Sequence, residues 1–117
     1  MAGELRLICD SGELEEGTLG VRFEVNHAGE AKPAFVVRFD GLCRAYLNQC
    51  AHVPVELDFQ EGAFFDDSGL YLVCSTHGAL YAPESGACMG GPCNGRGLIP
   101  LKVVEVDGRV YLKNEED

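Results

Sequence analysis

The stretch "CSTHGALY", residues 74–81, places Cys74 and His77 three positions apart at the end of an apolar run. Upstream, "NQCAHVP" at residues 48–54 holds a similar pair, Cys50 and His52, separated by a single alanine. Both pairs follow runs that are typical of β-strands, so we expect two neighbouring strand ends to present two loops to one point. Two thiolates and two imidazoles suit either tetrahedral zinc or an iron–sulfur centre.

The length and composition indicate one globular domain. The chain has 117 residues, of which 46% are hydrophobic and 24% charged, so we expect a single domain over residues 1–117. The first residues carry acids in place of a basic segment, and no apolar run approaches the ~18 residues of a membrane span. We therefore expect no signal peptide, no membrane anchor and a cytoplasmic location.

The charge of the chain restricts its partners. The formal net charge is −10, whereas phosphate binding needs basic patches, so the sequence argues against a nucleic-acid partner. An acidic surplus favours docking to a basic protein surface through electrostatic steering. The same surplus also serves plain solubility, and the sequence leaves both interpretations open.

Short apolar or alternating runs separated by turn residues indicate an all-β protein. No stretch has a sustained helical period, and the nearest candidate is a short acidic turn at 13–16. "DDSG" at 66–69 and "VDGRV" at 106–110 have the composition of hairpin turns. Strands at about ten-residue spacing predict a sandwich or small barrel. The predicted strands lie at 5–9, 20–25, 34–39, 43–47, 63–65, 70–74, 78–82, within 98–106 and at 109–113.

The six cysteines favour metal or redox chemistry over a disulfide framework, since the chain start does not indicate an oxidising compartment. Zinc fingers tend to group cysteine with cysteine and histidine with histidine. Here each loop contributes one of each, as C-x-H and C-x-x-H. This spacing is what separates the two kinds of centre.

The combined motif resembles the Rieske [2Fe–2S] proteins, whose signature is C-x-H followed, after a strand and hairpin, by C-x-x-H-G. The resemblance extends through "HGALYAPESG", "GGPC" and "LKVVEVDGRVYL", and covers roughly residues 35–113. It implies an all-β, Rieske-like small barrel or sandwich of antiparallel strands. Its cluster-binding subdomain, about residues 45–95, would consist of two ligand loops and a proline loop.

The resemblance implies a role for each matching residue. Cys50 and Cys74 would hold one iron of a Rieske-type [2Fe–2S] cluster, and His52 and His77 would hold the other and form the exit for an electron. Two glycines, a proline and two further residues would surround the cluster: Gly78, Ala79, Tyr81, Gly91 and Pro92. Neutral imidazoles in place of two thiolates make the cluster less negative, which raises its reduction potential.

The resemblance also implies a place among the Rieske proteins. The disulfide cysteines of the cytochrome bc branch are replaced by Val55 and Thr76, so the chain resembles the soluble ferredoxins of bacterial oxygenase systems. This implies a one-electron carrier and no enzyme, with a reductase and a terminal acceptor as redox partners. The segment between His52 and Cys74 is longer than is usual there. The alternatives are a structural zinc-binding β-module for protein interaction and a small Rieske subunit of a larger reductase.

Position 79 of this chain departs from the high-potential members of the family. Those members have a serine two residues after the second histidine, which donates to a bridging sulfide, and a tyrosine four residues after it, which donates to a ligand thiolate. Here Ala79 offers no donor, whereas Tyr81 keeps the hydroxyl. The resemblance therefore implies a potential in the lower part of the Rieske range.

The remaining cysteines and one histidine have simpler interpretations. Cys9 and Cys43 lie in apolar strand patterns and are predicted to be buried small hydrophobes. Cys88 and Cys93 in "CMGGPC" form a disulfide, remain free thiols or merely pack, and the sequence leaves this open. His27 is predicted to be a solvated loop residue, and the last four residues to be a frayed acidic tail.

Overall fold

The computed structural model describes residues 4–17, 19–27, 29–49, 57, 62–66, 68–74, 78–91 and 97–114. This part of the chain forms strands joined by turns, with one 3₁₀ turn at Ser11–Glu13. No helix of the described part is long and apolar enough to cross a membrane. The strands are β1 Glu4–Asp10, β2 Val21–His27, β3 Glu30–Phe39, β4 Leu42–Leu47, β5 Leu72–Val73, β6 Leu80–Tyr81, β7 Cys88–Gly90, β8 Pro100–Leu101, β9 Val103–Val106 and β10 Arg109–Asn114.

The strands form three sheets. Their orders are β1-β10-β9, β2-β3-β4-β8 and β5-β6-β7. Every ladder between these strands is antiparallel, and an isolated bridge between Glu16 and Arg38 is parallel. The all-β, antiparallel prediction is therefore confirmed.

Strand β3 is buried on both faces. Its residues 34–37 have no exposed surface, and alternate side chains point to opposite sides. Phe35 and Val37 belong to one buried cluster with residues of β5 and β6. Val36 shares a second cluster with residues of β1 and β10, and Ala34 shares a third with a residue of β10. The four-stranded sheet thus lies between the other two sheets, which explains the continuous apolar run at 34–37.

Most of the predicted strands are present, with shifted ends. The run at 63–65 contributes only a bridge from Phe65 to Leu72. The run within 98–106 is interrupted at Lys102, which separates β8 from β9. Strand β7 was not predicted, because "CMG" has neither alternation nor length. The acidic turn is 3₁₀ over Ser11–Glu13 and does not extend to residue 16.

Both predicted hairpin turns are observed. In the β9–β10 hairpin, Asp107 and Gly108 have φ of 52° and 77°, which is the geometry of a two-residue turn that follows the twist of its strands. In the other, the Gly69 amide donates to the Asp66 carbonyl at 3.0 Å, and the Asp66 amide donates to the Tyr71 carbonyl at 2.9 Å. Local glycine and aspartate chemistry was therefore sufficient to locate these turns.

Three of the simpler interpretations can be checked in the described residues. Cys9 is buried, as predicted, whereas Cys43 is only half-buried, and burial raises the pKa of each thiol to about 11. His27 is the last residue of β2, so the prediction of a loop position was wrong. Residue 114 ends β10, and the rest of the predicted acidic tail lies outside the described residues.

An ion pair joins the middle sheet to the β1-β10-β9 sheet. The Arg38 guanidinium on β3 donates two hydrogen bonds to the Glu105 carboxylate on β9, at 3.1 and 2.7 Å. The Arg38 Nε also donates to the Leu14 carbonyl at 3.0 Å. The hydrogen bonds from Arg38 lower the pKa of Glu105 to about 2. A bidentate ion pair of this kind fixes the orientation of both side chains.

We predict that Glu105→Gln destabilises the protein by about 1 kcal/mol at neutral pH, because one charge of the pair is lost. The pKa of Glu105 is lower in the folded chain than the ordinary value of 4.5, so the contribution is complete above that value. It is lost as the pH falls toward about 2. Urea unfolding of both proteins at pH 7 and at pH 3 measures this. A difference that does not shrink at pH 3 would contradict the role of the charge.

Candidate metal centre

The loop that carries the second predicted pair is closed by its own backbone. Strands β5 and β6 pair antiparallel, with Val73 opposite Leu80, and residues 74–79 connect them. The Cys74 amide donates to the Ala79 carbonyl at 2.9 Å, and the Gly78 amide donates to the Cys74 carbonyl at 2.7 Å. Gly78 has a φ of 75°, which favours glycine. The backbone positions on both sides of residues 75–77 are therefore fixed.

The thiol of Cys74 lies in the core at the start of this loop. Cys74 has no exposed surface and takes no part in a disulfide. It belongs to the same buried cluster as Leu57, Ala79 and Tyr81. The sulfur of Cys74 is thus shielded from water, and an apolar shell of this kind controls solvent access to a metal site.

The first loop is the segment between Asn48 and Leu57. A hydrogen bond to the buried side chain of Asn48 joins its two ends, which we call the neck of the loop. Asn48 directly follows β4, and its side-chain oxygen accepts a hydrogen bond of 2.8 Å from the Leu57 amide. The backbone amide of Asn48 donates to the Pro33 carbonyl at 2.8 Å. Leu57 is fully buried in the cluster that contains Cys74. The ends of the first loop and the start of the second loop therefore meet in one core.

A third segment of the chain lies between Gly91 and Leu98, and Gly91 packs against the second loop. A Cβ atom added to Gly91 would lie 2.8 Å from the Ala79 Cα and 2.8 Å from the Gly78 carbonyl oxygen. At the other end of this segment, the Leu98 amide donates to the Gly86 carbonyl at 2.8 Å. Gly91 and Gly78 were both predicted to lie at the site, and the structure brings them together. Close backbone approach is the physical reason for glycine at position 91.

Two buried tyrosines, Tyr81 on β6 and Tyr46 on β4, lie beside the candidate site. Tyr81 is fully buried on β6, opposite Cys88 of β7. The Tyr46 hydroxyl on β4 donates to the Pro83 carbonyl at 2.6 Å, so the middle sheet is hydrogen-bonded to the turn that follows β6. Burial raises the pKa of Tyr46 to about 12, which keeps this hydroxyl a donor at neutral pH.

Cys88 is disulfide-bonded. Among the other described cysteines, Cys9, Cys43 and Cys74 are not in disulfides. Cys93 lies outside the described residues. Of the possibilities that the sequence left open for Cys88, the structure therefore favours a disulfide.

The structure covers part of the predicted site. It brings together Cys74, Gly78, Ala79 and Gly91, with Tyr81 in the same cluster as Cys74. Four predicted residues lie outside the described part of the chain: Cys50, His52, His77 and Pro92. Sequence reasoning missed Asn48 and Leu57. An asparagine at a strand end is typical of turns, so no sequence signal marked its burial.

A groove of about 310 Å³ lies along β4, β8 and β9, and the described residues that line it belong to none of the three loops described above. Arg44, Lys102 and Lys113 line it, so three of the nine basic residues of the chain lie at this groove. Glu84 lies there as well.

Comparison with known proteins identifies a family. The sequence matches the family profile of the Rieske [2Fe–2S] domain over residues 4–108. A comparison with curated proteins finds no match.

Solved structures share the fold. A chain of the complex of reduced oxygenase and oxidized ferredoxin in carbazole 1,9a-dioxygenase is 24% identical, with a TM-score of 0.72 over 97% of this chain and 95% of that chain. The ferredoxin of carbazole 1,9a-dioxygenase from Nocardioides aromaticivorans IC177 is 21% identical, with a TM-score of 0.71 over 95% and 98%. Sphingomonas yanoikuyae B1 ferredoxin is 20% identical, with a TM-score of 0.71 over 96% and 100%. These similarities confirm the fold prediction.

We predict that Gly91→Ala destabilises the protein by about 3 kcal/mol or more, because positive φ and a backbone clash both oppose the new Cβ. Gly29→Ala is the matched control: its φ is 82°, close to the 80° of Gly91, but nothing lies within 4 Å of the added atom. The control should lose only about 1 kcal/mol. Thermal unfolding midpoints compare the two. Equal losses would show that Gly91 is not pressed against the second loop.

Proposed function

Because this chain belongs to the Rieske [2Fe–2S] domain family, we propose that it is a one-electron carrier of the ferredoxin type, serving an oxygenase or a related redox system. A [2Fe–2S] cluster of Rieske type is the cofactor of this family. The observation that carries the proposal is the burial of Cys74 in the same core as Leu57 and Ala79, where the first and second loops meet. The proposed domain is the whole chain, 1–117, with the cluster-binding part at about 45–95.

We assign the four ligands from the motif. Cys50 and Cys74 would bind one iron, and His52 and His77 the other. The described residues fit this assignment, since Cys74 offers a buried sulfur and its loop is closed by two backbone hydrogen bonds. The core around Cys74 is apolar and excludes water from the thiolate.

The cofactor supplies a one-electron couple, and the proposed role of the chain is to hold it, shield it and present it to partners. Gly91 brings its backbone close to Gly78 and Ala79 of the second loop without side-chain bulk. The buried Tyr81 hydroxyl would donate a hydrogen bond to a ligand thiolate, whereas Ala79 offers no donor. We propose no catalytic residue.

The proposed partners are redox proteins, namely a reductase as donor and a terminal oxygenase as acceptor. Support comes from the fold shared with a chain of an oxygenase–ferredoxin complex. The net charge of −10 favours a basic docking surface on these partners. We propose the cytoplasm as the location, since a ferredoxin there would meet a soluble reductase.

We predict that His77→Ala abolishes the Rieske electron paramagnetic resonance signal and lowers the iron content, because the four ligands bind the cluster as one unit. His27→Ala is the matched control, since His27 lies on β2 and outside the motif. Spectra are combined with iron and acid-labile sulfide analysis of both variants. An unaltered signal in His77→Ala would refute the ligand assignment, and a colourless wild type that contains zinc would refute the carrier function.

We expect electron exchange with the reductase to depend on salt. If charge steers docking, the rate should fall by about tenfold between low and physiological ionic strength, where charges are screened beyond about 8 Å. Stopped-flow absorbance of the cluster measures the rate. Reduction by a small uncharged reductant should change little and is the control. A reductase rate that is indifferent to salt would leave the acidic surplus with a solubility role only.

We predict a wild-type midpoint in the lower part of the roughly −150 to +300 mV Rieske range, because Ala79 has no donor. Tyr81→Phe should lower it and Ala79→Ser should raise it, each by tens of millivolts up to about 100. Tyr46→Phe is the control, because the Tyr46 hydroxyl donates to the Pro83 carbonyl and not to a ligand thiolate. Voltammetry at neutral pH measures the midpoint of each protein. A midpoint above about +200 mV, or no shift in Tyr81→Phe, would contradict these roles.

A further inference from the structure

One buried polar side chain lies at the neck of the first loop. Asn48 is 1% exposed, and it is the buried polar residue of the core in the part of the chain that the structure describes. Its side-chain oxygen accepts a hydrogen bond of 2.8 Å from the Leu57 amide, nine positions further along the chain. The backbone amide of Asn48 donates to the Pro33 carbonyl on β3 at 2.8 Å. Asn48 is therefore fixed to the middle sheet and in turn fixes Leu57.

The segment enclosed by this bond contains Cys50 and His52. Leu57, at its far end, is fully buried and belongs to the cluster that contains Cys74 and Ala79. The bond thus joins three elements: the end of β4, the far end of the first loop and the core beneath the second loop. Apolar packing holds Leu57 in the core, but packing is non-directional, whereas a hydrogen bond fixes the register of the backbone.

We propose that Asn48 is a positioning residue, which sets the first ligand pair at the correct distance and orientation from Cys74. The inference rests on the proposed function, since it takes Cys50 and His52 as ligands. The hydrogen bond closes the loop before any ligand is bound, so the ordering entropy of the neck is already lost when the cofactor binds. Without the acceptor, the buried Leu57 amide loses its partner in the core, and the neck opens to let water satisfy it.

The test uses three variants of the purified holoprotein. Asn48→Leu keeps the branched shape and the number of side-chain heavy atoms but removes the acceptor. Asn48→Asp keeps an oxygen at the same reach and serves as the conservative rescue. Leu112→Ala is the control for general destabilisation, because Leu112 is 2% exposed and lies in a different buried cluster, on β10. If Asn48→Leu does not fold, Asn48→Ser replaces it, since the serine hydroxyl is too short to reach Leu57.

Two measurements separate positioning from plain stability. The first is the rate of iron release to a chelator, which should rise about tenfold in Asn48→Leu and stay near the wild-type rate in Asn48→Asp. The second is hydrogen–deuterium exchange of the peptide that spans residues 48–57, which should also accelerate about tenfold in Asn48→Leu. Leu112→Ala should lower the thermal midpoint without accelerating exchange in that peptide.

The outcomes are distinct. Faster iron release and faster local exchange in Asn48→Leu, with rescue in Asn48→Asp, support the positioning role. Wild-type release and exchange in Asn48→Leu, or equal changes in Leu112→Ala, would overturn it and leave the proposed function intact. A wild-type protein that contains no iron or acid-labile sulfide would overturn the proposed function itself. Local exchange in the 48–57 peptide would then still test the bond between Asn48 and Leu57.

Discussion

The hydrogen bonds that close the Cys74–Ala79 loop are the constraint on which the candidate site depends. Strands β5 and β6 have only two residues each, so their ladder alone is too short to fix a loop. The bond from the Cys74 amide to the Ala79 carbonyl extends the ladder, and the bond from Gly78 to Cys74 folds the loop back on itself. Cys74 is buried at the start of this closed loop, and Gly91 packs against Gly78 and Ala79 at its end.

The middle sheet supports this frame because β3 is buried on both sides. The Phe35 ring stacks on the Phe64 ring with centroids 4.0 Å apart, on the side that faces the candidate site. On its other side, Val36 packs in the core shared with β1 and β10. The Arg38–Glu105 pair fixes the orientation of that second contact. Apolar burial supplies the driving force, and the ion pair supplies direction.

Buried polar groups determine where the loops attach. A polar side chain in a core costs free energy unless it is hydrogen-bonded, so Asn48 and Tyr46 can be buried only where their partners lie. The Tyr46 hydroxyl on β4 donates to the Pro83 carbonyl, and the Asn48 side chain, directly after β4, accepts from the Leu57 amide. The site is therefore held by the same sheet at two points.

The sequence by itself determined the class of fold, the β9–β10 turn and the family, because these depend on local periodicity, on turn chemistry and on the spacing of the two Cys/His pairs. The positions of the four ligands remain a prediction, and the structure describes only one of them, Cys74. Only the tertiary structure decided that β7 forms, that Asn48 is buried, and that Gly91 contacts the second loop. These features depend on residues distant in sequence meeting in one core, and a local pattern carries no information about such partners.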